Sequence, residues 1–127
     1  PASLLISIAD HLLEGEIAMA RGETDNAIAA FESAVALQDT LPYMEPPFWY
    51  YPTRQSLGEA FMAADRFTDA EAIYRRDLEL FPRNGWSTFG LIAALTAQGR
   101  SEEATELQTR FERIWSNADV TLTGSRL

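Results

Sequence analysis

"MAADRFTDAEAIY", residues 62–74, reads as the end of one helix, a polar turn and the start of another. Two more stretches align with it, "MARGETDNAIAAF" at 19–31 and "TAQGRSEEATELQ" at 96–108. Each has a small residue, a polar turn, acidic side chains and then an alanine. The anchor alanines are Ala27, Ala70 and Ala104, 43 and then 34 residues apart. A period in this range marks stacked helical units. The nine extra residues of the first interval fall between Ala36 and Pro52.

The turns predict where helices begin. Thr24, Thr68 and Ser101 are candidate N-caps, able to accept from unpaired amides of a first turn. Thr68 with Glu71 fits a capping box. Asp25, Asp69, Glu102 and Glu103 sit where the helix dipole favours negative charge. Apolar residues then recur at helical spacing: Ala27, Ile28, Phe31, Ala34 and Val35; Ala70, Ile73, Tyr74, Leu78 and Phe81; Ala104, Leu107, Phe111, Ile114 and Trp115. First helices are expected at about 4–20, 50–64 and 86–97, and no stretch alternates convincingly as a strand. The expectation is all-α: six helices in three antiparallel pairs.

These residues resemble the tetratricopeptide repeat family, whose pattern is W-x2-L-G-x2-Y, A-x3-F and P over 34 residues. The middle unit matches at Leu57-Gly58, Phe61, Ala70, Tyr74 and Pro82. Arg54 stands at the Trp position, and Asp77 replaces a usual small residue. The first unit keeps Gly15, Ala27, Phe31 and Ala34 without Leu-Gly. The third keeps Leu91, Leu95 and Ala104, with Ile92 in place of the glycine and Gln108 in place of the aromatic. The resemblance covers about residues 3–117 and implies a right-handed superhelical solenoid. Repeats would span about 3–40, 52–84 and 85–117, with a Pro/aromatic junction at 41–51 and a tail at 118–127. "WYYPTRQSLG" and "RNGWSTFGL" also look like C-terminal segments of long bacterial repeat proteins. The start at Pro1 rather than Met fits a fragment of a longer protein.

Composition limits the partners. The 127 residues are 46% hydrophobic and carry a formal charge of −9, with ten arginines and no lysine. Nucleic-acid binding needs clustered cations and is not expected; an anionic membrane surface is disfavoured for the same reason. "LLISIA" is cut short by Asp10 and His11, far below spanning length, so no membrane insertion is expected. Cysteine is absent, which removes disulfides, thiolate catalysis and Cys-based zinc sites. A cytoplasmic location is favoured, although an export signal could lie outside this stretch.

No catalytic or metal constellation emerges. His11, the single histidine, could share a helix face with Glu14, and Asp10 precedes it, but no second set of ligands is present. The serines lack a nucleophile motif. Gly22 and Gly99 fit tight turns, and Gly15 and Gly58 fit close helix contacts. No cofactor is expected.

The family resemblance implies a peptide groove on the concave face, lined by the first helix of each pair. By alignment that points to Leu12, Glu16 and Met19, to Gln55, Glu59 and Met62, and to Trp86, Phe89 and Ala93. The mixture suits an apolar or basic peptide; the other reading is that these residues cover the core. Glu16 and Glu59 disfavour the family's carboxylate clamp, which uses Lys and Asn. Pro46-Pro47 stop the preceding helix. Phe48, Trp49 and Tyr50 then pack across the junction and could edge the groove. Phe111, Ile114 and Trp115 make the third unit apolar for an end helix; the tail, or a second subunit in a homodimer, could cover it. The expected function is a non-enzymatic module docking an unknown protein or peptide. The alternative is an oligomerisation or scaffold segment of a larger multi-domain protein.

Overall fold

Six helices follow one another along the residues that the computed structural model describes, 2–40 and 52–115. They are α1 (Ala2–Ala20), α2 (Thr24–Gln38), α3 (Thr53–Ala63), α4 (Phe67–Leu80), α5 (Gly85–Ala97) and α6 (Ser101–Trp115). No strand occurs among the described residues. Each helix packs on the next in sequence, and α3 also touches α5. The chain is therefore the all-helical stack of pairs that the spacing predicts. The junction with Phe48, Trp49 and Tyr50, and the tail, lie outside the described residues, as do the side chains of Ile114 and Trp115.

The three turns within pairs share one backbone design. Gly22, Asp65 and Gly99 have φ of +74°, +59° and +76°. The amides of the next residues, Glu23, Arg66 and Arg100, donate back to the carbonyls of Ala18, Phe61 and Leu95 at 2.8, 2.8 and 3.0 Å. The amides of Gly22, Asp65 and Gly99 reach Met19, Met62 and Thr96 at 3.0–3.1 Å. This pair of bonds is a Schellman motif, and it needs one residue in the left-handed region. Glycine does this freely, whereas Asp65 is strained. Arg66 also lies over the Phe61 ring, 4.7 Å from its centroid, closing the middle turn.

The same residues start the second helices, which corrects the cap assignments. The N-caps of α2 and α4 are Glu23 and Arg66, with no side-chain cap bond; Thr24 and Thr68 already lie inside the helices. The carbonyls of Glu23, Arg66 and Arg100 accept from Ala27, Ala70 and Ala104. The anchor alanines are thus the residues that close the first helical turn. The Schellman bonds already determine the entry angle, so a hydroxyl cap is dispensable. The Thr68–Glu71 capping box does not form, because Glu71 is bound elsewhere. Pro52 is likewise the N-cap of α3, and its carbonyl accepts from Ser56 at 2.9 Å.

Between helices, aromatic rings lie on glycines. A Cβ built at Gly15 would come within 2.3 Å of the Phe31 ring, and one at Gly58 within 2.4 Å of Tyr74. Gly90 presses on Tyr74 from α5, again at 2.4 Å. Tyr74 is therefore clamped between α3 and α5, with 1% of its surface exposed. Helix axes approach this closely only where a side chain is missing. In the third pair both partners change together, Ile92 for the glycine and Gln108 for the aromatic. Ile92 packs against the core, and Gln108 is exposed.

Candidate interaction surface

The predicted groove residues occupy one stripe on each first helix, since positions three or four apart share a face. Leu12, Glu16 and Met19 on α1, Glu59 and Met62 on α3, and Trp86, Phe89 and Ala93 on α5 are all half-buried. Leu12, Met19 and Met62 pack against the core with part of their surface. Each stripe leaves part of its surface in solvent: aliphatic and methionine surface with a carboxylate on α1, methionine with a carboxylate on α3, and aromatic surface on α5.

Gln55 does not join the α3 stripe. It is 2% exposed and hydrogen-bonds Asp77. Phe89 and Phe111 meet each other, with ring centroids 6.4 Å apart at 51°. Phe111, predicted at a subunit contact, is thus half-buried within its own pair.

The departures from the family pattern at Arg54 and Asp77 are one feature. Both side chains are buried, at 4% and 2% exposure. The Arg54 guanidinium donates to Asp39 at the end of α2, and its charge also acts on Asp77. The Asp77 carboxylate accepts from Ser87 Oγ and from Asn84 Nδ2, the latter at 2.8 Å. Asn84 in turn caps α5, accepting from the amides of Trp86 and Ser87 at 3.0 and 3.4 Å. Burial pushes the Asp77 carboxyl above its ordinary value, while Ser87, Arg54, Asn84 and Gln55 pull it back. Thr53 Oγ1 donates to Gln38 Oε1 beside this cluster. These polar bonds join α2 to α3 across the junction and α4 to α5, and so orient the first helices.

A second cluster ties the middle pair to the third. Glu71 accepts from Arg75 Nε at 2.8 Å, Arg100 Nη1 at 2.6 Å and Gln98 Nε2 at 3.0 Å. Burial raises the Glu71 pKa, but Gln98 and the two arginines outweigh it, so the carboxyl lies below its ordinary range. Glu103 completes the set with Arg100 and Arg75.

Among the described residues, no group of three or more His, Asp or Glu is arranged to hold a metal ion. No described helix is long and apolar enough to cross a membrane. A cavity among α4, α5 and α6 is floored by Leu78, Leu91 and Leu107 and edged by Arg75 and Arg110.

The family model of the tetratricopeptide repeat matches residues 56–119, half of the chain. The chain belongs to the tetratricopeptide repeat family. No curated protein matches it. Tetratricopeptide repeats are in general non-catalytic modules of protein–protein interaction, and protein partners follow as the class. The first pair lies outside the matched stretch. It nonetheless repeats the turn and the ring-on-glycine contact of the second.

Two features lie outside the sequence expectations. The coupling of Arg54 to Asp77 was signalled by two simultaneous departures from one pattern. The exposure of Ile6 and Leu13, each 61%, and of Ile17, 44%, was signalled by their spacing of seven and four along α1.

Proposed function

We propose that this tetratricopeptide array is a non-catalytic docking module, binding an apolar or basic peptide segment along its first helices. The observation that carries the reading is the strip on α1, α3 and α5. Glu16 and Glu59, at equivalent register 43 residues apart, alternate there with Met19, Met62, Trp86 and Phe89. Carboxylates select for basic side chains, methionines adapt to varied aliphatic ones, and an aromatic such as Trp86 is a typical anchor. The acidic balance of the whole chain acts in the same direction by steering cationic segments inward. Gln55 is left out of the surface because it is buried.

A displayed random-peptide library tests this. Selection should enrich sequences combining Lys or Arg with aliphatic residues. Trp86→Ala should weaken the selected peptide by about 2 kcal/mol, roughly 30-fold, and Glu59→Arg should weaken it as well. Unchanged affinity in both variants would sink the assignment.

A further inference from the structure

We propose that the outward face of α1 is a second docking surface, which takes an amphipathic helix of a partner protein with an aliphatic ridge and basic flanks. The register of the repeats carries the argument. Asp10, Leu13, Glu14 and Ile17 occupy on α1 the places of Thr53, Ser56, Leu57 and Ala60 on α3, and of Ser87, Gly90, Leu91 and Ala94 on α5. All eight residues on α3 and α5 are buried. The preceding second helix covers that side: Gln38 of α2 bonds Thr53, and Tyr74 and Asp77 of α4 meet Gly90 and Ser87. On α1 the four equivalent residues are all exposed. Ile6 extends the apolar line by two turns, and Ala9 and Ala20 flank it, also exposed. The face built to receive a second helix is thus present on α1, without that helix among the described residues.

Charge decides the occupant. Asp10 and Glu14 border the ridge without an ion-pair or hydrogen-bond partner among the described residues. α1 contains no Lys or Arg. Pairing α1 with α1 of a second copy would set two carboxylates from each copy against each other, and Arg21, which lines a recess with Glu14 and Ile17, offsets only part of that charge. A helix with arginine or lysine beside its ridge meets both needs, in the helix-in-groove mode. The residue facing Leu13 must be small or aliphatic, because the space that Tyr74 uses over Gly90 is filled here by Leu13. The exposed side of α6 differs: Thr105, Gln108, Thr109 and Glu112 present a polar surface there.

The test uses two synthetic helical peptides of about twenty residues with the same leucine ridge, flanked by Arg in one and Glu in the other. Binding is read by fluorescence anisotropy at physiological salt. The Arg peptide should bind in the micromolar range, and the Glu peptide at least about tenfold more weakly. Leu13→Asp is the discriminating variant. It adds negative charge, so mere charge attraction would strengthen binding, whereas docking on the ridge predicts a loss of at least about tenfold. Glu59→Arg on the first-helix strip should leave this binding within about twofold, which separates the surface from the proposed groove. Binding unaffected by Leu13→Asp, or no binding at all, overturns the proposal. Self-association abolished by Leu13→Asp would identify a second copy as the occupant, and also overturns it. Binding to this chain but not to the full gene product would place the covering helix in the same polypeptide, against a separate partner.

Discussion

Gly58→Ala tests the ring-on-glycine contact that holds the middle pair together. The new methyl would lie 2.4 Å from Tyr74 Cζ and 2.5 Å from Cε1. Comfortable carbon–carbon contact is about 3.5–4.0 Å, so the ring must retreat by about 1 Å. It has nowhere to go, because a Cβ at Gly90 would stand 2.4 Å from the same ring and only 1% of Tyr74 is exposed. Overpacking of this kind costs about 1–3 kcal/mol. Alanine is the better helix former by about 1 kcal/mol, which offsets part of it. The net expectation is a loss of about 1–2 kcal/mol, and a urea midpoint lower by about 1 M for a chain of this size. The assay is urea unfolding followed by circular dichroism. Tyr74→Leu combined with Gly58→Ala should lose less than the two single changes together, by roughly 1 kcal/mol. The sign is decisive: an open helix position predicts stabilisation, so a Gly58→Ala variant as stable as the parent would refute the clamp.

Three further outcomes follow from the same geometry. Asp65→Gly relieves a left-handed aspartate at φ +59° and should raise stability by about 0.5–1 kcal/mol, read as a higher midpoint. Asp77→Ala leaves the buried and half-buried donors of Ser87, Asn84 and Gln55 without their acceptor, while Arg54 keeps Asp39, and should cost about 2–3 kcal/mol; adding Arg54→Trp, the family's own residue, should recover part of it. A double variant no better than Asp77→Ala alone would separate the two residues. For Glu71 the folded pKa lies below its ordinary 4.5, so the unfolded chain binds more protons in that window. Its contribution is present above about pH 4.5 and is lost as pH falls through the folded value. The stability gap between parent and Glu71→Gln should therefore narrow on acidification and hold constant from pH 6 to 8, measured by urea midpoints.

The helix pairs were legible because alanine, glycine and aromatic residues recur at the places where helices cross. Gly58 and Tyr74 are a contact that spacing alone reveals. The starts of α2 and α4 were misread because Thr24 and Thr68 are good caps in isolation, while the Schellman bonds of the preceding turn had already assigned the cap to Glu23 and Arg66. Gln55 was aligned to the groove by register, but its partner Asp77 lies 22 residues away, and one family pattern does not show that pairing. The exposed side of α1 was hidden for a similar reason. Leu13 and Ile17 look like core residues until their equivalents on α3 and α5 show which neighbour is missing.

The most direct test of the docking account is amide chemical-shift mapping of this chain titrated with the library-selected basic peptide. The largest shifts should fall on α1, α3 and α5 around Glu16, Glu59, Met62 and Trp86, and Glu16→Arg with Glu59→Arg should abolish them. Shifts confined to α4 and α6, or unchanged by the double reversal, would contradict it.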